Sequence, residues 1–220
     1  MKLIDLFEQQ IVIEGSIIIP QRTITLVGYE HQGKPIAQAK VLGDFYCSRT
    51  QIKSLEGGPS WIGGYFNCTS TRITSLKGGP SYVGKSFECS NTLIESLEGG
   101  PRHVGGMFSC VHTGIESLQG APSWVGGNFI CWNTKIKSLH NIHKQIKHID
   151  DTLFMSSLVK SHILGVMFIT GLKSISYTAD ATKSQKQAAV IINKHLAGDR
   201  NIHLAQEELI EGGLSEFAKL

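Results

Sequence analysis

The sequence predicts a repeat solenoid, mainly β with parallel strands, carrying a small α-helical module at its C-terminal end. Three observations predict it. From Phe45 to Leu139 a block of twenty-one residues repeats five times with no insertion or deletion. Within each block the apolar residues alternate and then cluster, so one side of the chain is set aside for an interior. After Ala179 the apolar spacing changes to that of an amphipathic helix.

The repeat is read from its columns. Phe45, Phe66, Phe87, Phe108 and Phe129 fall in register, as do Cys47, Cys68, Cys89, Cys110 and Cys131. The comb continues through Thr50 to Thr134, Ile52 to Ile136 and Leu55 to Leu139. A period of this length signals stacked coils, each stable only against its neighbours. Phe66 and Cys68 are two apart, so both point inward from a short strand, while Tyr65, Asn67 and Thr69 face out. The chain turns at Thr71, tucks Ile73 and Leu76 inside, and passes through Gly78-Gly79-Pro80. Glycine permits positive φ there, and proline forbids a helix.

Taken in order, Met1 to Val27 is a lead-in. Leu3, Ile4, Leu6 and Phe7 have the spacing of a short amphipathic helix. Ile11–Ile13 and Ile17–Ile19 flank Glu14-Gly15-Ser16 and read as strand, turn and strand. One period before Phe45 and Cys47 stand Ile24 and Leu26, which mark a degenerate first rung that caps the open end. After Leu139 the register fails, since Asp150 and Thr152 stand where phenylalanine and cysteine belong. Val166–Thr170 is a further strand candidate. Thr182 and Gln185 have capping-box spacing before a stripe of Ala188, Ile191, Ile192 and Leu196 that ends at Gly198. A second helix is expected over Leu204–Glu211, with a last turn in Leu214–Leu220. The organisation is therefore an N-terminal cap over 1–40, five units over 41–139, distorted rungs and a strand over 140–178, and a helical module over 179–220.

The block Phe-x-Cys-x-x-Thr-x-Ile-x-Ser-Leu resembles the conserved half of a leucine-rich repeat, Leu-x-Leu-x-x-Asn-x-Leu-x-x-Leu. The Leu-x-Gly-Gly-Pro-x-x-Val half is similar to the short, helix-poor repeats of secreted bacterial effectors. The whole unit, with its Gly-Gly-Pro and Val-Gly-Gly marks, resembles repeat proteins encoded by large tailed bacteriophages, and so does the ending Gln206–Leu214. This resemblance implies a viral protein acting in the cytosol of a bacterial host, with a host protein, such as a defence protein, as its target. One departure stands out: the family's turn asparagine is threonine here, and a hydroxyl cannot bridge as an amide does. Less rigid turns are expected.

Composition narrows the function classes. The 220 residues are 41% hydrophobic and 18% charged, ordinary for a folded soluble chain. A formal net charge of +3 argues against nucleic acid or an anionic membrane as partner. No apolar run reaches spanning length, and Met1–Gln10 carry two acids and no apolar core, so neither a membrane span nor a secretory signal is expected. All five cysteines occupy one column, which gives neither zinc-ligand pairs nor a chosen disulfide. They read as core filler in a reducing compartment.

Two surfaces are candidates for binding. Trp61, Tyr82, His103 and Trp124 place one ring per coil. The rings can stack against a base or a partner's side chain, or they can simply cover the glycine-proline turns. The outward strand positions become apolar toward Met107, Ile130, Val111 and Trp132, which marks a contact either with a partner or with the chain's own C-terminal segment. His140, His143 and His148 do not have convergent metal-ligand spacing. Nucleophile motifs and phosphate-cradling loops are absent from the sequence, so neither an enzyme nor a cofactor is expected. The first expectation is a non-catalytic protein-binding solenoid. The alternative is an oligomeric sponge for a small nucleotide, with ladder rings against the base and Arg49, Arg72 or Lys135 at phosphate.

Overall fold

The computed structural model describes residues 10–220 and is a parallel β-solenoid of about seven turns, ending in two packed helices. The helix expected around Leu3, Ile4, Leu6 and Phe7 lies outside the described residues. Each coil contributes two short strands where the sequence reading anticipated one. The first coil has β1 (Val12–Ile13) and β2 (Ile17–Ile18), followed by a small hairpin of β3 (Glu30–His31) and β4 (Lys34–Pro35). The repeated coils supply β5 (Lys40–Val41) and β6 (Phe45–Tyr46), β7 (Trp61–Ile62) and β8 (Phe66–Asn67), and β9 (Tyr82–Val83) and β10 (Phe87–Glu88). They continue with β11 (His103–Val104) and β12 (Phe108–Ser109), then β13 (Trp124–Val125) and β14 (Phe129–Cys131). Beyond them come β15 (His148–Ile149), β16 (Thr152–Met155) and a final β17 (Ser174–Tyr177).

These strands stack in two parallel sheets. The seven-stranded sheet runs β1-β5-β7-β9-β11-β13-β15, and the eight-stranded sheet runs β2-β6-β8-β10-β12-β14-β16-β17. The corner between them holds a glycine pair at Gly63-Gly64, Gly105-Gly106 and Gly126-Gly127, and a single glycine at Gly43 and Gly84. A Cβ on Gly84 would lie 2.2 Å from the carbonyl oxygen of Gly63, so successive coils touch there through bare backbone. The first glycine of each Gly-Gly-Pro has a positive φ, 82° at Gly78, as expected.

The interior is the one the columns predict. All five phenylalanines, all five cysteines and the Ile and Leu columns are buried. Successive phenylalanines from Phe45 to Phe108 stack with centroids 5.0–5.5 Å apart, and Phe129 tilts against Phe108 at 4.9 Å. The thiols are free, and Cys68, Cys89, Cys110 and Cys131 each donate to a carbonyl of the next coil at 3.2–3.6 Å. Threonine settles the turn in its own way. Each buried hydroxyl donates to the cysteine carbonyl three residues earlier, at 2.7–2.9 Å, so it bonds within its coil and does not bridge to the next. This closes a turn in which Arg49, Ser70, Asn91, His112 and Asn133 all take the left-handed conformation.

Ile11–Ile13 and Ile17–Ile19 hold the expected strand, turn and strand, with β1 and β2 each beginning a different sheet. Two expectations about the flanks need correction. The first rung places Ile17 and Ile19, not Ile24 and Leu26, in the Phe and Cys columns: Ile17 pairs with Phe45, and Ile19 N–H donates to Tyr46 O. The hairpin lengthens that coil, leaving Leu26 buried in the Leu column and Ile24 exposed. Beyond Leu139 the twenty-one-residue register is lost and the ladder continues as distorted rungs, as expected over 140–178. A short helix α1 (Ile142–Gln145) lies in the next coil, whose inward residues are Leu153, paired with Phe129, and Met155, paired with Cys131. Finally, Val166–Thr170 is not a strand; it lies in and just after a 3₁₀ helix over Leu164–Phe168. An apolar run without alternation does not by itself separate the two.

The C-terminal helices close the far end. Helix α2 (Lys183–Ala197) starts with the expected box, Thr182 and Gln185 each bonding the other's backbone N–H, and packs its apolar stripe against the last coil. Gln185 also donates to Ser157 O and Val159 O. Helix α3 (Ile202–Glu211), capped by Asn201, packs on α2, and Leu214, Phe217 and Ala218 complete the core.

Candidate functional site

The solenoid presents two outer faces, built differently from the same backbone. On the seven-stranded sheet the outward column is Lys40, Trp61, Tyr82, His103, Trp124 and His148, brought into register by strand pairing. Trp61 and Tyr82 stack at 5.1 Å, Tyr82 and His103 at 4.8 Å, and His103 and Trp124 at 6.1 Å. His148 lies on Trp124 at 3.7 Å, and the Lys40 ammonium sits 4.3 Å from the Trp61 ring centre at the other end. The rings thus face one another, and both ends of the pile are covered. What they offer outward is edges. Lys40 stands one period before Trp61 but carries no ring, and His148 escapes the spacing because a count of twenty-one residues from Trp124 reaches Gln145.

On the eight-stranded sheet the outward column is Ile18, Tyr46, Asn67, Glu88, Ser109, Ile130, Phe154 and Ser176, with only isoleucine and serine repeated. Beyond Ile18 its N-terminal half is polar and pre-set. Tyr46 Oη–H donates to Asp44 at 3.1 Å, and Asn67 donates to Glu88 at 3.0 Å while accepting Thr69 N–H at 2.9 Å. Its C-terminal half is apolar, with Met107 and Ile130 half-buried and exposed Trp132 meeting Phe154 edge-on at 5.6 Å. Phe154 belongs to this patch but was missed, because the step from Phe129 to Leu153 is longer than the period. The C-terminal helices pack on the end of the solenoid around β17.

The cations expected at phosphate are not gathered. Arg49 lines a groove of about 470 Å³ with Tyr46, Asn67, Thr69 and Asn91, where Thr69 Oγ1 is buried without a hydrogen-bond partner among the described residues. Arg72 is exposed in the turn one coil on, and Lys135 lies with Lys137 and His140 at the other end of the repeat. None of them shares a sheet with the ring ladder. The three histidines also part company: His140 meets Leu220 O at 2.8 Å, His143 packs on Phe168, and His148 joins the ring stack. Burial and the nearby Lys144 and Lys147 hold the His143 imidazole below its ordinary pKa. No group of three metal-ligating side chains converges among the described residues.

No protein-family model matches the chain, and no curated protein or solved structure shows significant similarity to it. No helix among the described residues is long and apolar enough to cross a membrane.

Proposed function

We propose that the chain is a non-catalytic binding protein that engages a protein partner through the outer face of the eight-stranded sheet. The observation that carries this reading is the contrast between the faces. Interior columns repeat one residue type because packing demands it, and the ring column repeats planar groups because they stack. The columns around Tyr46 and Asp44 change at almost every coil, as a surface shaped for one partner would. Eight strands about 4.8 Å apart give a preformed face more than 30 Å long, wide enough for a partner patch of about 800 Å². The resemblance to leucine-rich-repeat-like bacteriophage proteins makes a bacterial host protein, such as a defence component in the cytosol, the proposed target. The test is affinity capture from host lysate with three baits: the parent chain, Ile130→Lys with Trp132→Ala, and Tyr82→Ala. The reading requires the same partner on the first and third and its loss from the second. Loss from the ring variant alone would overturn it.

The groove beside Arg49 favours a second reading, a small nucleotide held at that end of the face. A guanidinium and the unpartnered Thr69 hydroxyl suit an anionic, oxygen-rich ligand. Thermal-shift measurements against cyclic and linear nucleotides decide it, with Arg49→Ala as the control. Stabilisation that Arg49→Ala abolishes supports the nucleotide reading.

A further inference from the structure

We propose that the rim of the first coil, around β2, is a self-association surface on which a second copy of this chain docks. The argument comes from comparing that coil with its successors, position by position. Ile18 pairs with Tyr46, and the same column then holds Asn67 and Glu88. Glycine contacts place Val27 where the following coils carry Glu56, Lys77 and Glu98. The bonds Gln51 N–H to Thr23 O and Arg72 N–H to Ile52 O place Ile24 in the column of Lys53. Three outward positions that are charged or polar one coil later are therefore β-branched and apolar at the open end. They are 73%, 72% and 63% exposed at Ile18, Ile24 and Val27. A solenoid end that faces water calls for the opposite choice.

The sheet edges agree. Of the four ends of the two large sheets, three are closed, two by side chains and one by backbone. Asn193 takes both the N–H and the carbonyl of Ile175 on β17. Thr170 bridges to His148 beyond β15, and Arg200 takes Ile169 O and Leu172 O. Lys34 Nζ donates to Val12 O at the edge of β1, at 3.2 Å. The fourth, β2, has no partner on its outer side among the described residues. An open edge is a template for a further strand.

The occupant that fits is another β2, run antiparallel about a two-fold axis. Such an interface sets each residue against its own neighbourhood, so any charge there would meet a like charge. Gly15 to Gln21 contains no charged residue. Pro20 lacks an N–H and confines the pairing to the isoleucines. Ile18 of one copy then lies beside Ile18 of the other, as Ile18 lies beside Tyr46 within the chain.

Sedimentation velocity of the full chain tests this directly. The expected species has twice the 24.0 kDa chain mass and dissociates on dilution. The triple variant Ile18→Asn, Ile24→Lys and Val27→Glu gives the first coil residue types that later coils already carry at those positions, so it folds. It is expected to sediment as a monomer with an unchanged far-ultraviolet spectrum. Val190→Lys, on the exposed side of α2, is the control and stays dimeric. Ile18→Cys adds the symmetry readout: oxidation is expected to cross-link the dimer, because the native thiols are buried. A parent chain that stays monomeric throughout, or a triple variant that remains dimeric, overturns the proposal.

Discussion

The two outer faces differ in what their side chains do for each other. Both sheets have the same pitch, because parallel strands repeat at about 4.8 Å whatever they carry. On the seven-stranded sheet that pitch is close to the stacking distance of planar rings, and the column from Trp61 to His148 uses it. On the eight-stranded sheet the outward residues are dissimilar, so neighbours bond only where chemistry allows, as Asn67 does with Glu88. Uniform columns bind themselves. Varied columns leave their surface available to something else.

The largest expected effect breaks the corner that both faces share. Gly84→Val forces a side chain into the Gly63 carbonyl and should destabilise by about 3 kcal/mol or more, read by urea unfolding. Tyr82→Ala removes two stacked ring contacts, each worth about 0.5–1.5 kcal/mol beyond area, so a loss of about 1–3 kcal/mol is expected with partner capture intact. Alkaline pH acts on the interior below both faces. Burial raises the thiols above the ordinary value of 9.0, Cys131 to about 12. The unfolded chain then releases protons first, so their contribution is whole below about pH 9 and is lost as pH rises toward 12. The melting temperature should fall over that window, and Cys131→Ala should flatten the fall. Thr92→Val deletes the hydroxyl bonded to Cys89 O, at about 1 kcal/mol. Lys135→Ala, exposed at the end of the varied face, should stay within about 0.5 kcal/mol.

Much of the fold was legible because periodicity reports a shared environment. Columns of Phe, Cys, Ile and Leu can only be an interior, and the box at Thr182 and Gln185 is a local rule met locally. The misplacement of Ile24 and the lost register at Asp150 have one cause. Extending a period assumes coils of equal length, whereas the β3–β4 hairpin lengthens the first coil and the coil holding α1 is longer than the repeat. The second sheet was hidden for another reason: two-residue strands such as Trp61–Ile62 are too short to show alternation. Of the candidate surface, Met107, Ile130 and Trp132 were visible as outward apolar residues, and Phe154 was not.

By itself the sequence determined which residues share the interior, the length of the regular coil and the start of the C-terminal helices. These follow from spacing, and spacing is a property of the chain. Only the tertiary structure decided where the irregular coils re-enter register, that the rings spend their faces on one another, and which of four sheet edges lacks a partner among the described residues. Each depends on the pairing of residues more than twenty positions apart, and backbone hydrogen bonds between coils set that pairing.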